Sequence, residues 1–440
     1  ASAGGTSAKV SGPLISFGDV DPAFRISADG SRVAYIANAE TDFVFSIIWE
    51  LFSVSTSGGD VAKLNGPLAN GGDVTFGSAQ FSPDGSRVFY LADQTTNDQW
   101  ELYGVESTGG TPAKLNGPMV ASGDVDAKYD VSPDGQRVLY IANAELTPLF
   151  QPIVEIFSVP AAGGEAVKLN GPLVSGGNVV PGSGRFSPDG SRAIYLADEQ
   201  TNEVFELFSV LSAGGGRVKL NGPLVTNGDV SLAGLQFSPD GSRVIYGADQ
   251  HVDNLQELFS VPTVGGDVVP LSGTAGTFSA IDLTSAAFSP DGNHVLFRAI
   301  ESGGSAYELF TTASDGGMPL RLNDGLPPGG GVVRAGFSPD GSRVVYLADQ
   351  ETAGVFELFS VAAAGGMPAK ISDVLTVNGN VTDWQFSPDG RYLVYRADQD
   401  QDQVFELFAV DFGGSGSAVL DVDYNFDDVV DAADYTVWRN

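Results

Sequence analysis

The last residues of the chain hold a compact set of oxygen ligands. Asp423, Asn425, Asp427, the carbonyl of Val429, Asp431 and Asp434 fall at positions 1, 3, 5, 7, 9 and 12 of one twelve-residue loop, with apolar Val430 at position 8. That spacing lets a single flexible loop wrap a hard cation, and calcium is the cofactor it suits. Position 6 carries Asp428, where the sharp turn favours glycine. Residues 431–440 read as a short helix after the loop. The alternative is an acidic tail with no fixed structure.

Charged residues elsewhere recur with great regularity. A glutamate recurs at Glu50, Glu101, Glu155, Glu206, Glu257, Glu308, Glu357 and Glu406, and an arginine at Arg32, Arg87, Arg137, Arg192, Arg243 and Arg343, with His294 and Tyr392 in the remaining two places. A site of function rarely repeats eight times, so these read as cross-strand or interblade pairs. Asp93, Asp198, Asp249, Asp349 and Asp398, with Asn38 and Asn143, form another series; Asp19, Asp73, Asp124 and Asp229, with Asn178 and Asn380, form one more. Short Asp and Asn side chains cap turns through the backbone. The competing reading is a ring of oxygens that attracts calcium.

Catalytic constellations are sparse. There is no cysteine, which excludes disulfides and thiolate chemistry, and the two histidines, His251 and His294, fall at opposite ends of their repeats. No G-x-S-x-G elbow, H-E-x-x-H pair or phosphate loop occurs. Paired carboxylates could hydrolyse glycosides, but no pair stands out from so many.

Composition narrows the partners. A formal net charge of -33 repels nucleic acid and anionic membranes. No apolar run is long enough to insert in a membrane. The chain begins at Ala1 rather than Met, so an extracellular or cell-surface location with the targeting segment already removed is expected.

These residues are positioned by a repeat. The unit reads F-S-P-D-G-S-R-V-x-Y-x-A-D, a variable loop, E-L-F-S-V, a Gly-Gly turn and A-K-L-N-G-P-L. Its Asp-Gly pair recurs at Asp29, Asp84, Asp134, Asp189, Asp240, Asp291, Asp340 and Asp389, spaced by 49 to 55 residues. Each unit contains four strand signals; in the second copy they are 79–81, 87–91, 101–105 and 113–115. Asp-Gly and Gly-Gly supply the tight turns, at one end of the strands. The spacing predicts an all-β, eight-bladed β-propeller of four-stranded antiparallel blades over residues 1–414. Residues 4–13 match 109–118, so Lys9-Val10 is expected to close the ring as the outer strand beside 406–410, with 418–422 as its rival. Residues 415–440 are a linker and a short C-terminal EF-hand-like tail.

The Ser-Pro-Asp-Gly turn followed by Arg-Val-x-Tyr and Glu-Leu-Phe resembles the WD40-like (PD40) repeat of TolB-type propellers. The resemblance covers nearly all of residues 4–414 and implies the fold; such propellers include binding proteins, peptidase accessory domains and some lyases. The tail resembles half of a type I dockerin calcium repeat, carried by Asp423, Asn425, Asp427, Asp431 and Asp434.

Some copies depart from the pattern. The sixth has Ile300 in place of Asp or Asn and Gly303-Gly304 in a shortened loop. The third inserts Leu146-Thr147-Pro148-Leu149-Phe150, and the first places Phe43, Phe45 and Trp49 nearby. Apolar loops of this kind either present contact surfaces or tuck against their own blade.

The expected function is a secreted, non-catalytic interaction or assembly module. It would meet a protein partner or self-associate through its termini into a fibre or surface layer. The alternatives are a polysaccharide lyase or glycosidase, or a sugar- or peptide-binding propeller, using the acidic variable-loop face.

Overall fold

The computed structural model describes residues 7–41, 47–121, 123–149 and 151–412. All six tail residues assigned to calcium, Asp423, Asn425, Asp427, Val429, Asp431 and Asp434, lie outside the described residues, as do Phe43, Phe45 and Phe150.

Local chemistry begins at the Ser-Pro-Asp-Gly turn. In the second copy, Ser82 Oγ donates to Asp84 Oδ1 at 2.5 Å, and the same oxygen accepts Ser86 N at 3.1 Å. Gly85 N closes the turn on Ser82 O at 2.8 Å with φ of 71°, a value glycine adopts without a Cβ penalty. Arg87 N then returns to Ser82 Oγ at 2.9 Å, which starts the second strand in register.

Each copy forms one antiparallel sheet whose strands lie in chain order. In the second they are Gln80–Phe81, Arg87–Ala92, Glu101–Glu106 and Ala113–Lys114. Seven sheets have four strands. The eighth has three among the described residues: Val381–Phe386, Tyr392–Ala397 and Glu406–Asp411. No helix occurs among the described residues. Eight such sheets, one per repeat, are consistent with an eight-bladed propeller.

Closure by Lys9-Val10 is not seen, because those residues lie in no strand. The residues after them do follow the repeat: Gly12 N donates to Tyr35 Oη at 3.0 Å, as Gly117 N does to Tyr140 Oη.

The chain divides into two compact units, Ala1–Pro223 with Pro262–Asp267 and Leu224–Val261 with Val268–Asn440. Within each unit, sheets pack face to face. Ile36 and Leu51 of the first sheet meet Val88, Tyr90 and Tyr103 of the second; Leu296 and Leu309 of the sixth meet Val344, Tyr346 and Phe359 of the seventh. Strand alternation is what offers one apolar face to each neighbour. Tyr of the second strand stacks on the aromatic residue of the third, as in Tyr346–Phe359 with centroids 5.4 Å apart.

The units differ in their first strands. Sheets one to four have first strands of two residues, whereas those of sheets five to eight are Val230–Phe237, Phe278–Phe288, Val332–Phe337 and Val381–Phe386. Each of these longer strands carries a register shift against its partner.

Candidate functional site

The recurrent charges are structural. Glu101, almost fully buried, pairs with Lys114 of the fourth strand and accepts Tyr103 Oη at 2.5 Å. Burial alone would raise its carboxyl, but those two bonds outweigh it and hold the group below its ordinary value. The same pairing joins Glu50–Lys63, Glu155–Lys168, Glu206–Lys219, Glu308–Arg321 and Glu357–Lys370. In the fifth sheet Pro270 stands where the lysine would be, and Glu257 takes His251 Nδ1 at 2.8 Å instead.

The repeated arginine binds a serine of the third strand: Arg243 Nε reaches Ser260 Oγ at 2.8 Å, and Arg343 Nε reaches Ser360 Oγ at 2.7 Å. Where Gly104 supplies no hydroxyl, Arg87 turns to Glu106. Where the arginine is lost, at His294 and Tyr392, the serine is lost too and Thr311 or Ala409 stands in its place. Among the described residues, neither imidazole is hydrogen-bonded to a serine or threonine hydroxyl.

The Asp/Asn series are loop staples rather than a calcium ring. Asp93 Oδ1 accepts Asp73 N at 2.5 Å and its Oδ2 accepts Asp98 N at 2.9 Å. Asp249, Asp349 and Asp398 repeat that double acceptance, and the residue five positions on has a positive φ each time, as at Asn254, Gly354 and Gln403. Asp73 Oδ1 in turn accepts Trp49 N of the preceding sheet at 2.7 Å. Burial raises the carboxyls of both Asp73 and Asp93. Asn replaces Asp in the first and third copies, where the second strands, Arg32–Thr41 and Arg137–Leu146, run on as long hairpins. In the sixth copy the hairpin turns directly, with Gly304 N on Glu301 O at 2.8 Å, and no staple is needed. Among the described residues, no group of three or more His, Cys, Asp or Glu side chains converges as a metal site.

Of the apolar loop residues, Leu149 at the tip of the third hairpin is 80% exposed. Trp49 packs instead against Phe76, edge to face at 4.5 Å.

What departs from the repeat lies on the first and second strands of sheets six to eight. The position after the second-strand aromatic is a buried aliphatic at Ile36, Leu91, Ile141, Leu196 and Leu347, but arginine at Arg298 and Arg396. Arg298 is the register partner of Asp282 and forms an ion pair with it. Its Nη1 also donates to Val332 O at 2.9 Å and to Val333 O, both on the seventh sheet. Burial would raise Asp282, but the Thr284 hydroxyl and the Arg298 charge outweigh it and keep the carboxyl below its ordinary value.

The line continues across the next two sheets. Arg334 pairs with Asp383, and its guanidinium lies 4.9 Å from the Trp384 ring centre. Asp383 is the register partner of Arg396. Arg396 Nη1 donates to Thr382 Oγ1 at 2.9 Å, with its guanidinium 4.0 Å from the Phe405 ring centre. Val333 and Thr382 are single extra residues in their strands, where Val332 and Arg334 face Ala348 and Leu347, and Val381 and Asp383 face Ala397 and Arg396. Bulges of this kind re-aim neighbouring side chains and gather near sites. Three guanidiniums and two carboxylates thus line three adjacent sheets, a locally cationic stretch in an acidic chain. A cavity of about 530 Å³ in the seventh and eighth repeats is lined by Val355, Glu357, Lys370, Leu375, Thr376 and Asn380, and none of the three arginines lines it.

Sequence reading missed this group because each member looked like one more charge among many. Two signals were available. Arginine breaks the aliphatic position twice, and only six residues separate Gly331 from Phe337 and Asn380 from Phe386, against eight from Asp73 to Phe81. The longer stretch holds a turn, with Ser78 N on Thr75 O at 3.2 Å; the shorter one has no room for it and runs as strand.

No family model matches the chain. A dipeptidyl-peptidase 5 from Arthroderma otae is 30% identical over 175 residues, 37% of this chain and 23% of that protein. The chain therefore spans about a quarter of the length of the curated relatives it matches. Among solved structures, Porphyromonas gingivalis dipeptidyl peptidase 4 superposes with a TM-score of 0.52 at 14% identity, over 85% of this chain and 55% of that one. A TolB from Agrobacterium tumefaciens covers 57% of this chain and 79% of its own, with a TM-score of 0.32 and 18% identity.

The curated likeness corrects the expectation of a non-catalytic interaction module, and with it the polysaccharide-active alternative. The named relatives are peptidases, which points to an enzyme. Near-identical repeats had suggested a scaffold, but repetition fixes packing and says nothing about the few positions that break it.

Proposed function

We propose that this chain is the propeller portion of a peptidase of the dipeptidyl-peptidase kind, and that the bulged first strands of sheets six to eight handle peptide. The observation that carries the reading is the 30% identity to dipeptidyl-peptidase 5 over 175 residues. The chemistry is compatible with it. A short peptide bears an ammonium, a carboxylate and unpaired backbone groups, and alternating Arg and Asp at bulges offer a partner to each.

The test is to incubate the chain with dipeptidyl chromogenic substrates and to titrate it calorimetrically with uncut tri- to hexapeptides. Release of dipeptides or saturable binding supports the reading. Failure of both across the panel overturns it.

Three finer parts of the reading rest on sequence alone. Lys9-Val10 serves as the outer strand of the eighth sheet, where its lysine would answer Glu406 as Lys114 answers Glu101. A calcium ion is held by Asp423, Asn425, Asp427, Val429, Asp431 and Asp434. The protein works outside the cell.

A further inference from the structure

We infer that Arg396, with Arg334 beside it, receives the free carboxylate of a bound peptide, so that the site distinguishes peptides by their C-terminal charge. The inference rests on the peptidase reading above and names which end of the substrate these residues hold.

The argument starts from what Arg396 does not do. In a chain of net charge -33, most cations are committed to a carboxylate or to the serine of the third strand. Asp383, directly across the ladder from Arg396, is taken by Arg334. Asp398, two residues on, feels the Arg396 charge but spends its oxygens on Asn380 N at 2.6 Å and Gln403 N at 3.1 Å. Among the described residues Arg396 makes no ion pair.

Its position is nevertheless fixed. One edge donates to Thr382 Oγ1 at 2.9 Å and the plane lies 4.0 Å from the Phe405 ring centre. A guanidinium has five N–H donors in a rigid fork, and this one has a single hydrogen bond, so donors remain for two carboxylate oxygens. The Thr382 bulge is what sets this up, because the extra residue brings Oγ1 within reach of the arginine across the ladder.

Arg334 adds the second positive charge. Cross-strand partners stand about 5 Å apart at Cβ, so the Arg334 guanidinium, bound to Asp383, lies beside the base of Arg396. The Arg334 side chain is 49% exposed and stacked on Trp384, which leaves part of its fork open to solvent. Asp383 neutralises one of the two arginines, and an incoming carboxylate neutralises the other. No such pair occurs in the fourth sheet, where the equivalent of Arg396 is buried Leu196.

The experiment compares matched peptides of three to five residues with a free C-terminal carboxylate or a C-terminal amide, by calorimetry and by cleavage. Wild type is set beside Arg396→Leu, which restores the aliphatic residue type found in five of the other copies, and Arg334→Gln. Wild type is expected to favour the carboxylate form by about 10-fold at low salt, with the gap shrinking as salt rises. Arg396→Leu is expected to erase that gap by weakening the carboxylate form more than the amide form. Peptides that bind or are cut with no gap, or with a gap that survives Arg396→Leu, overturn the inference and leave the peptidase reading standing. Absence of binding and cleavage for both forms in wild type overturns both.

Discussion

Asp93→Asn is the sharpest test of the loop-staple argument. The substitution is nearly isosteric, yet it should be costly. Asp93 offers two acceptor oxygens to two backbone donors, Asp73 N at 2.5 Å and Asp98 N at 2.9 Å, while an amide offers one acceptor and two donors. Whichever way the amide turns, one N–H faces another. A hydrogen bond to a charged group contributes about 1.5–3 kcal/mol, and burial makes the unpaired N–H expensive. The relief of a buried charge beside Asp73 offsets part of this, since burial already raises both carboxyls. The net loss is about 2 kcal/mol. Native-state amide exchange reads it directly: the Asp98 or Asp73 amide should exchange roughly 30-fold faster, while amides of other sheets are unchanged. The control is Asn143→Asp. There the side chain needs only one acceptor, for Asp124 N at 3.3 Å, and the strands run on beyond it, so the change should stay within about 0.5 kcal/mol. If Asp93→Asn is as neutral as Asn143→Asp, the double-acceptor reasoning is wrong.

Lys114→Met should cost about 2 kcal/mol in urea unfolding, because it leaves the buried Glu101 carboxylate with neutral hydroxyls and no cation; the half-exposed lysine keeps the figure below that of a fully buried pair. A cost under about 0.5 kcal/mol would mean the pair is decorative. The turn aspartates give a pH dependence with a definite sign. Serine hydroxyls, then backbone N–H groups, pull Asp29 and Asp291 down to about 2, and lower Asp84, Asp134, Asp189, Asp240, Asp340 and Asp389 in the same way. Folded values below the unfolded one mean stability that is present above about pH 4 and lost as pH falls toward 2. The urea midpoint should fall through that window, less steeply once Asp84→Asn and Asp189→Asn are introduced; equal slopes would refute the attribution. Calcium titrated calorimetrically into the chain should give one binding event that Asp423→Ala with Asp427→Ala removes, and a flat wild-type titration would dismiss the loop.

The sequence by itself determined the repeat, and with it eight antiparallel sheets in chain order. The reason is that Ser-Pro-Asp-Gly and Gly-Gly fix turns locally, and alternation then tells each strand which side is apolar. The eightfold recurrence also marked the recurring Glu and Arg as structural, while their lysine and serine partners came from the structure. Only tertiary structure decided what the Asp and Asn side chains do. Their partners lie five residues away on a left-handed loop residue, or about twenty away just before the first strand, and spacing alone cannot separate a backbone acceptor from a cation ligand. The arginine group left two traces in the sequence, but its assembly was decided by tertiary structure. Arg298, Arg334 and Arg396 are 36 and 62 residues apart in sequence, and two single-residue bulges turn them, with Asp282 and Asp383, toward one another across three sheets.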